Sequence, residues 1–383
     1  MKFQKMIALT LSLALLVSLL AACGGTKADT SSDGGASERA ESSQPETEAN
    51  DIAFDAEENT IRFSLPAGQI RNAHQILAQE LGYYEEEGVH VEFVNVSGTD
   101  ALAAITTNQT DIDILGTGIV PDLTFISNGS DLVFFAGTAV EGSSIIARPE
   151  DVEYYKDLKN YAGTTFAMMR NQTSWIVTRA KLVEAGVDID SINIMEVDSQ
   201  INVAQAVSKG AADVGVLPLE YAAAASDLHI GVVYEVGELE PNYVCCRQVT
   251  SPAKLEEKHD AFVKFTVANL RAWEYYEDEA NRADVLALLA RQSGQTEEFV
   301  NQCLFINRTL LSLDPNTDGI VSFYHYLSDS GILKDAAREV EIEDYIDTSV
   351  YEEALQILLE REPDNAFFQE VLETYRRDNH SSL

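Results

Sequence analysis

Basic residues are scarce in this 383-residue chain: 26 Lys and Arg stand against 63 Asp and Glu, a formal charge of -37. Such a chain is repelled by nucleic acid, and no basic stripe interrupts the acid excess. The acid excess reads most simply as a solvated exterior. It could also bias a cleft towards cationic or neutral guests, although local donors can override a global field. Cysteine is scarce too. Cys245, Cys246 and Cys303, with one adjacent pair, make neither a disulfide framework nor zinc spacing, so buried free thiols are expected. Beyond Leu20 no apolar segment approaches membrane length. The six His show no close metal-ligand pairing, no Gly-x-Ser-x-Gly elbow occurs, and Gly116-x-Gly118 lacks the third glycine of a dinucleotide loop. No cofactor or metal is therefore expected, and catalysis is disfavoured.

What is present is a motif met twice. Asn108 to Gly118 reads Asn-Gln-Thr-Asp-Ile-Asp-Ile-Leu-Gly-Thr-Gly, and Ser208 to Pro218 reads Ser-Lys-Gly-Ala-Ala-Asp-Val-Gly-Val-Leu-Pro. Each follows a run with helical apolar spacing, passes a polar turn and an Asp, and enters a short β-branched segment ending at small residues or Pro. Ligands sit at the carboxyl ends of parallel strands, where helix N-termini and free backbone groups face the crevice. Two such loops in separate halves predict two lobes with a small-molecule cleft between them.

Strand and helix signals alternate from Thr60 to Arg247, which predicts an α/β fold of two lobes with mostly parallel sheets. Ile70 to Leu81 has helical spacing ended by Gly82, and Val89 to Val96 reads as a strand. Ser144 to Arg148 reads as a strand leaving the first lobe and Tyr243 to Arg247 as the strand returning to it. From Pro252 onward the chain is mainly helical, and these helices are expected to support the first lobe. Gln69, Thr117, Glu141, Ser143, Arg170, Thr173, Glu220 and Tyr243 fall near strand ends and are candidate ligand contacts. Thr117 and Gly118, just before a helix start, could offer hydroxyl and backbone donors to an anion, or Gly116 and Gly118 could merely permit a tight turn. Arg170 would grip a carboxylate or sulfonate bidentately, unless it pairs with a nearby acid. Glu141 and Glu220 would suit amino or pyrimidine nitrogens. Trp175 could stack on a flat guest, but lobe packing suits a Trp just inside a helix better.

Lys2 and Lys5, the apolar run from Met6 to Leu20, and Leu20-Ala21-Ala22-Cys23-Gly24 form a secretion signal. Leu-Ala-Ala-Cys resembles the lipobox of bacterial lipoproteins, which implies removal of residues 1–22 and a lipid on Cys23, tethering the chain to the extracytoplasmic face of the cell membrane. Residues 23–57 are rich in Gly, Ser, Thr, Glu and Asp and read as a disordered tether. The expected division is 58–148 with 248–383 for lobe 1 and 149–247 for lobe 2 with the crossovers.

Leu81-Gly82-Tyr83-Tyr84-Glu85-Glu86-Glu87-Gly88-Val89, followed by the two Asp motifs, Asp157-Leu158-Lys159, Ala162-Gly163-Thr164-Thr165 and Glu184-Ala185-Gly186-Val187-Asp188, resembles the solute-binding proteins of ABC importers for nitrate, alkanesulfonates, taurine and thiamine-pyrimidine precursors, the SsuA/THI5-like group. The resemblance spans about Thr60 to Leu311. It implies a type II periplasmic-binding-protein-like fold that closes on a small solute and delivers it to a permease driven by an ATPase. Sulfonate- or nitrate-like anions lead, with a heteroaromatic pyrimidine precursor as the alternative. A surface enzyme on the same scaffold, or a surface interaction protein with a shallow or filled cleft, are the readings from other classes. A eukaryotic pyrimidine synthase of the group carries a dense Cys cluster and an active-site His; here only Cys245-Cys246 stand near the comparable region, without the rest of the cluster.

Overall fold

The alternating segment Thr60–Ser64 becomes β1, with Ile61 and Phe63 wholly buried. It pairs in parallel with β2 (His90–Val94) and β3 (Ile114–Gly118), placing Phe63 opposite Phe93 and Ile114. This computed structural model describes residues 57–107, 111–225, 227–306, 309–333, 340–381 and 383. The expected signal over 1–22, Cys23, nearly all of the tether, and the first three residues of the Asn108 motif lie outside the described residues. Glu57 is described, and it belongs to the folded body: it pairs with Arg62 and with Lys258. No described helix is long and apolar enough to cross a membrane.

Eight further strands follow: β4 (Val133–Val140), β5 (Ser143–Ala147), β6 (Thr165–Met168), β7 (Asn193–Glu196), β8 (Val214–Pro218), β9 (Gly231–Glu235), β10 (Val244–Thr250) and β11 (Leu310–Leu311). They form one sheet in the order β11-β4-β10-β3-β1-β2 and a second in the order β7-β6-β8-β5-β9. The two-lobe α/β plan is as expected, but both sheets are mixed rather than mostly parallel. Strands β4, β5, β9, β10 and β11 enter antiparallel ladders. The reason is the crossover. β4 and β5 are separated only by Glu141 and Gly142, at φ 53° and 80°, so the chain turns from one sheet into the other without a helix. The lobes therefore exchange earlier than the expected 148/149 boundary, β5 being a strand of the second sheet and β10 of the first.

The repeated Asp motif has one geometry in both sheets. Asp113 donates its backbone N–H to Arg62 O at 2.8 Å and accepts the Arg62 N–H on Oδ2 at 2.8 Å. Asp213 does the same with Thr165, at 2.9 and 2.8 Å. Each carboxylate thus pins the start of β3 or β8 to the start of its parallel neighbour β1 or β6. Asp113 is also wholly buried and holds the Lys254 and Lys258 ammonium groups, each at 3.1 Å.

Gly82 and Gly88, at φ 77° and 73°, bound the short helix Tyr83–Glu87 and let the chain reverse twice between Ala73–Glu80 and β2. Tyr84 is buried, stacks on Phe265 at 5.4 Å and donates to Asn269 Oδ1 at 2.7 Å, while Tyr83 lies beneath the Arg271 guanidinium. His74, on helix Ala73–Glu80, is buried between Trp273 and Tyr276. Burial alone depresses its pKa from 6.5 to about 3. The unfolded chain therefore takes up a proton below pH 6.5 that the folded chain refuses, and stability falls as pH falls through that window. Replacing His74 with Phe is expected to flatten this dependence between about pH 5 and 6.5 by a slope approaching ~1.4 kcal/mol per pH unit, read from urea unfolding at stepped pH.

The C-terminal helices do more than support the first lobe. His259–Glu277 covers its sheet through Phe262 and Phe265. Helix Thr317–Asp329, however, reaches the second lobe: Arg179 donates to Asp329 O at 3.3 Å, Lys181 lies over the Tyr326 ring, and Tyr326 OH donates to Glu240 at 3.4 Å.

Candidate functional site

A cavity of about 520 Å³ lies where the two sheets face one another, a volume within the usual range for small-molecule sites. One wall comes from the first sheet: the loop after β1 (Gln69 to Asn72), the end of β3 (Gly116 to Gly118), Thr138 of β4, and Cys245 and Cys246 of β10. The other comes from the second: Ser143 of β5, Asn171 to Ser174 after β6, and Pro218 with Glu220 after β8. A second cavity of about 520 Å³ is lined by Glu57, Arg62, Asp113, Lys254 and Lys258, whose charges already pair with one another.

Of the candidates named from sequence, Gln69, Gly116, Thr117, Gly118, Ser143, Thr173 and Glu220 line the cleft. Neither Gly116 nor Gly118 is at positive φ, and both are strand residues, so they make no tight turn. At Gly116 the missing side chain makes room instead: a Cβ there would lie 2.8 Å from Asn72 Nδ2, 3.0 Å from Phe63 and 3.1 Å from Thr138 Oγ1.

Three candidates lie elsewhere. Arg170 is 78% exposed and donates twice to Glu196 Oε2, at 2.9 and 2.7 Å. β6 runs parallel to β7 with Met168 opposite Glu196, so that strand's acidic end captures the guanidinium, while Asn171 at φ 60° turns the chain into the cleft. Glu141 accepts the Asn242 N–H at 2.7 Å and donates its own N–H to Tyr243 O at 3.0 Å. Glu141 and Tyr243 therefore clasp the two crossovers together rather than lining the cavity. Trp175 is buried against Phe166 at 4.6 Å, in lobe packing.

The sequence reading missed Arg71. It donates to both Glu220 oxygens, at 3.0 and 2.8 Å, to Gly142 O at 2.9 Å, and faces Cys245 Sγ at 3.6 Å. Because Arg71 follows β1 and Glu220 follows β8, this bidentate pair spans the cleft. Asn72 and Thr138, also missed, are buried with Nδ2 and Oγ1 lacking a hydrogen-bond partner among the described residues. The signal for Arg71 and Asn72 was there, since Asn is a favoured residue just ahead of a helix.

Three helix starts in the wall lack a side-chain cap. Helix Ile119–Ser127 begins at Gly118, helix Thr173–Glu184 at Gln172 and helix Ala73–Glu80 at Asn72, none with a side-chain cap. By contrast Ser97 caps Gly98–Thr106, Ser199 caps Gln200–Ser208, and Asn365 caps Ala366–Asn379. The first two uncapped starts come from opposite lobes and nearly touch, a Cβ on Gly118 falling 3.6 Å from Thr173 Oγ1. Two helix N-termini without a side-chain cap, whose dipoles favour negative charge, thus lie side by side in the wall.

With this geometry the sequence matches the family model described as NMT1/THI5 like over residues 70–283. The chain belongs to the NMT1/THI5-like family. A search of the curated proteins finds no match. Among solved structures, the periplasmic aliphatic sulphonate-binding protein SsuA from Escherichia coli is similar with a TM-score of 0.60 at 17% identity, over 76% of this chain and 92% of that one. The periplasmic nitrate-binding protein NrtA from Synechocystis PCC 6803 gives 0.63 at 14%, over 78% and 89%. The ligand-binding component of an ABC-type import system from Staphylococcus aureus, with zinc bound, gives 0.62 at 16%, over 77% and 99%. These likenesses show that this NMT1/THI5-like chain has the type II periplasmic-binding fold. Among its described residues no group of three or more His, Cys, Asp or Glu is placed to hold a metal.

Proposed function

We propose that the chain is the extracytoplasmic solute-binding receptor of an ABC importer, taking a small organic solute or anion of the alkanesulfonate, taurine or nitrate kind between its lobes and handing it to a permease. The observation that carries this reading is the pair of uncapped helix starts, from opposite lobes, meeting in the cleft. Such ends favour negative charge, and the Asn72 amide adds an unpartnered donor beside them. A guest touching both ends holds the lobes closed, because only the closed form offers both at once. The likeness to SsuA and NrtA supports the same class. Anchoring through a lipid on Cys23 belongs to the proposal and rests on the sequence alone.

Binding, rather than surface catalysis, accords with walls made of hydroxyls, amides and thiols in which the charged groups, Arg71 and Glu220, are tied to one another. Thermal-shift screening with alkanesulfonates, taurine, nitrate and aminopyrimidines separates the guests. A true ligand at about a hundred times its dissociation constant adds ~2.7 kcal/mol to stability. Stabilisation by the pyrimidines alone would replace the anion reading, and no response to any of them would remove the support for both.

A single substitution tests the mechanism. Gly118 has extended backbone angles, φ -63° and ψ 135°, that suit a capping residue. In Gly118→Asp the new carboxylate can accept the Val120 N–H, the next residue, Pro121, having none. The fold is expected to gain about 0.3 kcal/mol, Gly being itself a tolerated cap, while anion affinity drops about tenfold or more, ~1.4 kcal/mol. Calorimetric titration beside urea unfolding reads both signs, and unchanged anion affinity would count against helix-start recognition.

A further inference from the structure

Adjacent residues on a strand point to opposite faces, so neighbouring cysteines do not ordinarily meet. In β10 they do. Val244 stands opposite Val140 and Cys246 opposite Ala139, two steps along β10 against one along β4, which makes Cys245 the extra residue of a β-bulge. The bulge turns both side chains to one side. Their sulfurs lie 3.5 Å apart, both thiols stand in the cleft wall, and Arg71 Nη1 is 3.6 Å from Cys245 Sγ. Cys303 is different: it is fully buried and is not part of that wall.

We infer that Cys245 and Cys246 form a cleft-wall dithiol site that takes small-molecule disulfides and closes on them by thiol–disulfide exchange. This goes beyond solute capture and does not depend on it. Cys245 is the attacking group. The hydrogen bond from Cys246 and the Arg71 charge, working against burial, hold its thiol below the usual thiol range. Cys246 is pushed up by the same bond and by burial, so it stays protonated as the resolving thiol. In the first step the Cys245 thiolate attacks one sulfur of R–S–S–R. The disulfide bond breaks, and the departing thiolate takes up the proton that Cys245 released. In the second, the Cys246 sulfur attacks the Cys245 sulfur of the mixed disulfide, and its proton leaves with the second R–S group. Two protein thiols are oxidised, one external disulfide is reduced to two thiols, and no other reactant is needed. The product joins residues whose Cα atoms are ~3.8 Å apart, closer than the usual ~4.4–6.8 Å span, so it is strained and easily reduced again.

The test uses the folded full chain with 2-hydroxyethyl disulfide as probe, acid quenching, alkylation in denaturant and residue-resolved peptide mass mapping. In the wild-type chain Cys245 and Cys246 are expected to lose alkylation together without an accumulating adduct, and dithiothreitol should restore both. Cys246→Ser should trap a mercaptoethanol adduct on Cys245, formed at least tenfold faster than any on Cys303 in the same chain. Cys245→Ser should slow reaction at residue 246 at least tenfold. Thermal midpoints show which variants fold, and the wild-type result decides the matter if neither does. Continued alkylation of both thiols in the wild-type chain, or equal reaction of Cys303, overturns the inference. So does a folded Cys246→Ser that gains no adduct.

Discussion

Asp113→Ala should cost roughly 3–5 kcal/mol of folding stability, because it strips the buried Lys254 ammonium of the acid it meets among the described residues and takes one of two acids from Lys258. The Asp113 carboxylate is wholly buried, with Lys254 and Lys258 each at 3.1 Å and the Arg62 N–H at 2.8 Å. Removing it leaves the Lys254 charge, taken out of water, with no acid beside it among the described residues, while Lys258 keeps Glu57 at 3.2 Å and Thr60 O at 2.9 Å. Asp213 supplies the comparison that a single mutant lacks. It makes the same backbone clamp, to Thr165 N at 2.8 Å, but it is half-buried and has no ion pair among the described residues. Asp213→Ala should therefore lose only about 1–3 kcal/mol. Urea midpoints for the two variants, with unchanged m-values, measure the difference. Equal losses would show that the clamp, not the charge, sets the cost.

A second large effect is expected from Gly137→Ala, with a loss of about 3 kcal/mol. Gly137 lies in β4 where the segment carrying Ser312 and Asp314 crosses the strand, and an added methyl would run into the carbonyl oxygens of both. The crossing is held by Gly137 N–H to Leu313 O at 2.8 Å and Ser312 N–H to Thr138 O at 3.2 Å. Backbone atoms cannot swing aside as a side chain can, so the strand or the crossing segment must move. Thr138, the next residue, faces the cleft, and ligand affinity should fall along with stability. Gly98→Ala is the control. Its Cβ would meet only the Thr117 side chain at ordinary contact distances, and its helical site should make the change neutral or mildly stabilising.

Local pattern carried much of the architecture. The Asp motifs announced β3 and β8, and both deliver their carboxyl ends to the cavity. The register of those ends with their neighbours is not local information. Nothing in Arg170-Asn171-Gln172-Thr173 says that the adjacent parallel strand closes on Glu196, so the guanidinium looked available when it was taken. Arg71 was lost for the opposite reason: helical spacing from Ile70 absorbed a residue that precedes the first turn of Ala73–Glu80. The Cys245-Cys246 pair shows a third limit. Strand alternation puts neighbours on opposite faces, and only the pairing of β10 with β4 reveals the bulge that reverses this. Glu141 and Tyr243 fall near strand ends in the sequence, but their mutual bond depends on two segments a hundred residues apart.

Helix Thr317–Asp329, bonded to Arg179 and Glu240 across from its own lobe, gives the hinge a strap. Any stroke that parts the lobes must stretch those bonds as well as bend the clasp at Glu141. Exposed polar ties of this kind are weak singly, about 1 kcal/mol or less. The lobes are thus held near their present separation by ties that each yield easily.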